Sequence, residues 1–276
     1  MSEKYNQLFC RNIDYIAQDI QNKIRTTPVL IAGCGIGSTI AEAAARMGFE
    51  NITLIDGDVI EVHNLNRQIY TQADVGTKKA EALANRLRSI NPDINITPIT
   101  DWISEENVNS LVGKAELIFD TIDFLDLNAI TILHDEANRQ NKPIISALSI
   151  GWGAGAMYCP PSKSDVSYFR KVFHLPETGP VKDMSYVFHF KVLIERIGAY
   201  LNPEVIAAMS KAFQIMEDGR PCPASQLSAG SFSVGALAVT VAVKLLKEEK
   251  VAEAPNLILL NVNGVCEQSD INLLVD

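Results

Sequence analysis

The chain has 276 residues, 47% of them hydrophobic, enough to bury a substantial core and too apolar for wholesale disorder. A formal net charge of −9 argues against a general electrostatic grip on nucleic acid or anionic lipid, while leaving room for a local basic pocket. The five cysteines are scattered, odd in number and without a Cys-x-x-Cys pair, so neither a disulfide framework nor a zinc knuckle is indicated.

Residues 12–25 have helical spacing and mixed charge, which predicts a leading helix in an N-terminal arm of residues 1–27. The arm lacks the apolar stretch of a signal peptide, and a reduced, cytoplasmic protein is expected. PVLIAG (28–33) reads as a buried strand feeding a small-residue helix over 37–48, and NITLIDGD (51–58) as a second strand. An amphipathic helix over 77–90 stops at Asn91-Pro92. INITPIT and ELIFDTID read as strands around a helix begun near Ser104, followed by the helix DLNAITILHDEANRQ and the strand PIISALSI. This alternation predicts a Rossmann-like, doubly wound and mostly parallel sheet over residues 28–155.

After Gly151-Trp152-Gly153 the pattern changes. Residues 160–182 are loop-like, residues 184–217 helical with a break at Asn202-Pro203, and 228–248 a long small-residue helix. That helix is expected to be buried rather than to cross a membrane. NLILLNVNG supplies a final strand. Residues 156–276 are therefore read as a C-terminal extension of the same domain, carrying a crossover and substrate region and dimer-packing elements.

The chemistry begins at AGCGIGS, where Gly33, Gly35 and Gly37 sit between a strand and a helix, a place where backbone N–H groups approach phosphate. Asp56 tips the second strand as a ribose-binding acid does, with Asp58 two residues on. Arg67 follows Asp56 by eleven residues and Lys79 lies twelve further on. Two cations beyond a ribose acid suit a triphosphate with magnesium better than a dinucleotide. The alternative is an NAD(P)-dependent oxidoreductase, which gives Arg67 and Lys79 no role.

GCGIGS, LIDGDVIEVHNLNRQIY, GTKKAEALANRLRSINP and IFDTID together resemble the ordered motifs of the ThiF/MoeB/HesA-type adenylyltransferases, relatives of ubiquitin-activating enzymes. The resemblance covers about residues 8–155 and returns weakly at GALAVTVAVKLL. It implies an enzyme that uses ATP and Mg2+ to adenylate a carboxylate with release of pyrophosphate. The acceptor would be the C-terminus of a ubiquitin-like protein or peptide, or a small acid. By the same resemblance Asp56 would hold the ribose, while Asn64, Arg67 and Gln68 would order the triphosphate. Lys79 would contact it, with Lys78 as the alternative in a shifted register. Asp123 would sit near magnesium and the α-phosphate, and Asp120 would be a structural partner. Arg11 would reach the ATP site of a second subunit in a homodimer. A non-catalytic scaffold subunit is the other reading that such a family allows.

Three departures from the family pattern stand out. The glycine loop is one residue shorter than Gly-x-Gly-Gly-x-Gly, and the paired Cys-x-x-Cys zinc site is missing, so no zinc is expected. Residues 160–221 hold no cysteine, which leaves Cys159 and Cys222, each beside proline, as candidate nucleophiles; Arg220 lies close to Cys222. His63, His134, His174 and His189 show no metal-ligand spacing.

Overall fold

The arm is two short helices, α1 (Glu3–Leu8) and α2 (Gln18–Thr26), rather than one helix over residues 12–25. A 3-10 turn at Cys10–Asn12 and a left-handed Asp14 at φ 72° separate them, since a residue at positive φ cannot continue a right-handed helix. The computed structural model describes residues 3–267 apart from 163, 183, 185, 219 and 221–224.

Chain order then gives β1 (Pro28–Ala32), α3 (Gly37–Met47), β2 (Asn51–Ile55), α4 (Lys79–Ile90) and β3 (Asn95–Ile99). There follow α5 (Val108–Lys114), β4 (Leu117–Asp120), α6 (Leu127–Arg139) and β5 (Ile144–Ile150). The sheet runs β3-β2-β1-β4-β5 in parallel, then adds two antiparallel strands, β6 (Gly153–Cys159) and, further along the chain, β7 (Ile258–Asn261). Between those two come α7 (Tyr168–Val172), α8 (Tyr186–Ile197), α9 (Pro203–Glu217) and α10 (Ser228–Leu246). The strand expected to run through NVNG ends at Asn261, and α11 (Val262–Glu267) takes its place.

Pleating divides each apolar strand between two cores. Val29 and Ile31 of β1 join one core with α3, α4 and α10, while Leu30 and Ala32 join the other with α5, α6, α8 and α9. A strand covered on both faces has no position for a charge, which is why PVLIA reads as continuous apolar sequence. The same division recurs in β4, with Leu117 and Phe119 on one side and Ile118 on the other.

The arm docks on the end of α3. Gly48 caps that helix at φ 109°, the left-handed cap that glycine adopts freely, and Tyr5 Oη donates to its carbonyl at 2.9 Å. Gln21 Nε2 donates to Met47 O at 3.0 Å. α10 lies across β5, β6 and α3. A Cβ on its Gly235 would lie 2.6 Å from Thr39 O, and Gly230 abuts the carbonyls of Gly151 and Gly153. Gly230 and Gly235 of α10 are thus used for close approach inside the chain.

Candidate active site

Parallel strands deliver their C-terminal ends, and the loops beyond them, to one edge of the sheet. The connections reverse between β1 and β4, the point at which doubly wound sheets open a crevice. There a cavity of about 660 Å³ opens, lined from β1 by Gly33 and Gly35, from β2 by Asp56 and Asp58, and from β4 by Thr121 and Asp123. The segment after β2 adds Asn64, Arg67 and Gln68, and the first turn of α4 adds Lys79. Nine of the residues expected from the sequence therefore line a single space.

Gly33 sits at φ +88°, and a Cβ there would lie 2.5 Å from Thr121 O, so only glycine lets the loop after β1 pass the loop after β4. Thr121 Oγ1 donates to Gly33 O at 2.8 Å and locks that crossing. Gly37, in contrast, does not line the cavity; it begins α3 against Thr121 and Ile31, a packing position. Cys34 is fully buried, with its thiol pushed up first by burial and then by the Asp56 charge.

Asp56 is buried and accepts from Cys34 N at 2.6 Å and Asp58 N at 2.8 Å, one bond to each oxygen. The glycine loop and the second acid are thereby registered to one carboxylate. Lys79, 7% exposed, pairs with Asp58 at 2.6 Å. Lys78 does not line the cavity; its Nζ is tied to Gly57 O at 2.5 Å. Of the two lysines, Lys79 is the one that lines the cavity. Asn64 is held by its own turn, its Oδ1 accepting from Glu61 N at 3.0 Å.

Arg67 is the hinge between two parts of the chain. Its Nη1 donates to His63 O at 2.8 Å and Asn66 Oδ1 at 2.9 Å, and its Nε donates to Gln226 Oε1. Partial burial lowers its basicity from the usual arginine range, and the charge of Asp123 opposes that shift, so the two face one another electrostatically. Two residues that line the cavity carry a buried polar atom without a hydrogen-bond partner among the described residues, Gln68 Oε1 and Ser149 Oγ, the latter close to Gly230 of α10. Unmet bonding of this kind is costly unless a ligand or water supplies the partner.

Asp120 belongs to the support rather than to the cavity. His134 Nε2 lies 3.0 Å and Ser146 Oγ 2.8 Å from its Oδ2, and Ile122 N donates to Oδ1 at 3.1 Å. His134 stacks on Phe169 with ring centroids 4.7 Å apart. This buried cluster sets the start of the loop that carries Asp123.

Arg11 lies outside the cavity, exposed in the turn between α1 and α2. Cys159 is also outside it, buried on β6, and burial pushes its thiol up to about 12, with Asp120 adding to the effect. A buried thiol held protonated at neutral pH is a poor nucleophile, which argues against Cys159 in that role. Cys222 falls outside the described residues. Sequence reasoning missed Trp102, just beyond β3, whose ring lies on Gly57, and Gln226, the partner of Arg67; both line the cavity. Neither belongs to a local motif. Also missed was the apolar wall contributed by α8 and α9.

A doubly wound sheet with a charged cavity at its switch point defines a Rossmann-like α/β protein. The chain belongs to the ThiF family, whose family model matches residues 9–267. It is 28% identical over 193 residues to the molybdopterin-synthase adenylyltransferase of Haemophilus influenzae, covering 69% of this chain and 72% of that one. It is 26% identical over 211 residues to the SAMP-activating enzyme E1 of Haloferax volcanii, covering 75% and 76%. Its fold matches the crystal structure of PaaA with a TM-score of 0.68 at 19% identity, over 95% of this chain and 81% of that one.

Proposed function

We propose that the chain is an ATP-dependent adenylyltransferase that activates a carboxylate as an acyl-adenylate. The observation that carries this reading is the convergence of Asp56, Arg67, Lys79 and Asp123 on one cavity beside the Gly33–Gly35 turn. It is supported by membership of the ThiF family and by the adenylyltransferase named among the relatives.

In this reading Asp56 receives the ribose hydroxyls, and the adenine lies toward β3, where Trp102 offers an aromatic face. Gln68, with its unpartnered oxygen, and the backbone around Gly35 border the nucleotide. Arg67 and Lys79 supply positive charge to the phosphates. Asp123 would hold magnesium, the phosphate oxygens completing the oxygen shell that this ion prefers. The ion would supply charge neutralisation of the phosphates.

An acceptor carboxylate oxygen attacks the α-phosphorus, and the bond from that phosphorus to the bridging oxygen of the β-phosphate breaks. Pyrophosphate leaves with the bonding pair, and Arg67 and Lys79 stabilise the charge that it gathers. No proton moves, because the acceptor is already ionised, so the step requires no general base.

The unit is proposed to be a homodimer in which Arg11 completes the partner's site. No zinc is assigned a part in it.

The test is ATP–pyrophosphate exchange in the presence of candidate carboxylates. Exchange that needs a carboxylate supports the reading. Asp123→Ala should lower the rate roughly 100-fold or more while the circular dichroism spectrum stays native. Near-normal exchange by that variant removes Asp123 from the chemistry.

A further inference from the structure

The cavity has two halves of different chemistry, and the sheet order separates them. Strands stand about 4.8 Å apart, so the end of β5 lies roughly 14 Å from the end of β2. Asp56, Asp58, Arg67, Lys79 and Asp123 follow β2 or β4 or open α4, with the glycine turn after β1 between them. Beyond β4, over β5 and the turn into β6, the lining becomes apolar: Leu148, Trp152, Phe190, Val205, Met209 and Phe213.

This second half is built rather than incidental. Gly151 turns the chain between β5 and β6 at φ +57°, and a Cβ there would lie 2.5 Å from Val205 Cγ2, so the first turn of α9 rests directly on the turn. Trp152 Nε1 donates to Glu204 Oε1 and ties the same two elements together. Glu204 is the charged side chain on this wall among the described residues, and Trp152 engages it.

We propose that this half is the acceptor compartment, and that the carboxylate activated here is carried on a large apolar group, aromatic or branched aliphatic. The proposal rests on the adenylation reading. Among the described residues the compartment offers no cation for the carboxylate, so that group points back toward Arg67 and Lys79 while the apolar body lies against α9. Burying such a body gains free energy in proportion to its area, whereas a Gly-Gly terminus would leave the wall uncovered. Ala208 and Ala212 line the same wall and leave the space that the body fills.

The test uses the full chain. Binding of a non-hydrolysable ATP analogue is measured first, then ATP–pyrophosphate exchange with three probes: 3-phenylpropanoate, a tripeptide ending in Phe and a tripeptide ending in Gly-Gly. Exchange with either or both apolar probes, well above that with the Gly-Gly peptide, is the expected result. The two apolar arms distinguish a free acid from a chain terminus. Ala212→Phe should lower exchange with the apolar probes roughly tenfold or more while analogue affinity stays within about twofold. Activity with the Gly-Gly peptide alone overturns the proposal and leaves adenylation standing. Analogue binding without a response to any probe overturns it as well, as does an Ala212→Phe variant that keeps full activity with the apolar probes. Failure to bind the analogue overturns the adenylation reading itself.

Discussion

Asp56, Arg67, Lys79 and Asp123 stand far apart in sequence and meet at one sheet edge because each follows a strand or opens a helix there. Asp56, Arg67 and Lys79 were legible from their offsets along the chain after the glycine loop, whereas Asp123 was legible only through the resemblance of IFDTID to a family motif. Gln226 was not legible, since its pairing with Arg67 spans 159 residues and depends on how the chain returns after α9. Cys159 shows the opposite limit: the sequence offers a cysteine beside proline, and only burial decides its reactivity. Its folded thiol stands at about 12, above the ordinary thiol value of 9.0. Below pH 9 both states hold the proton. As pH rises through 9 the unfolded state ionises while the folded state does not, so stability falls from there toward pH 12. Urea midpoints should decline over that window, and less steeply for Cys159→Ala. Cys34 adds a change of the same sign, so some decline remains in the variant. Equal slopes for the two proteins would show that the Cys159 thiol ionises freely in the folded state.

β6 escaped the sequence reading because GAGAMYC is mostly glycine and alanine, residues with weak strand preference. Its small residues serve neighbours instead: Gly153 lets the backbone of β7 approach at Leu260. The parallel strands, with their branched apolar side chains, were legible to within three residues at either end. α9 was legible as a helix from its Asn202-Pro203 start, but its seat on Gly151 was not, because that contact joins elements more than fifty residues apart. Gly151→Ala places a side chain at positive φ and against Val205, and it should cost about 1–3 kcal/mol. The double variant Gly151→Ala/Val205→Ala should lose less than the sum of the two single changes, because the collision is removed. Additive losses in denaturant titrations would show that α9 does not rest on this turn.

At the scale of the whole molecule, a polar half-cavity follows β1, β2 and β4, and an apolar half is built from the end of β5, the turn into β6, α8 and α9. The small-residue stripe of α10 suggested subunit packing in the sequence, yet Gly230 and Gly235 are occupied within the chain. The proposed dimer draws on Arg11, which is exposed and does not line its own cavity. Mixing Arg11→Ala chains with Asp123→Ala chains should restore activity if Arg11 acts in trans, because mixed dimers contain one intact site. A mixture that stays inactive, or a fully active monomer, contradicts the trans arrangement.

The adenylation reading turns on where the phosphate chain breaks. The direct measurement supplies an acceptor labelled with ¹⁸O in its carboxylate, captures the activated acyl group with hydroxylamine and weighs the nucleotide product by mass spectrometry. Attack by a carboxylate oxygen on the α-phosphorus predicts pyrophosphate and AMP carrying one ¹⁸O. Unlabelled ADP with labelled inorganic phosphate would place the attack on the γ-phosphorus and contradict the account.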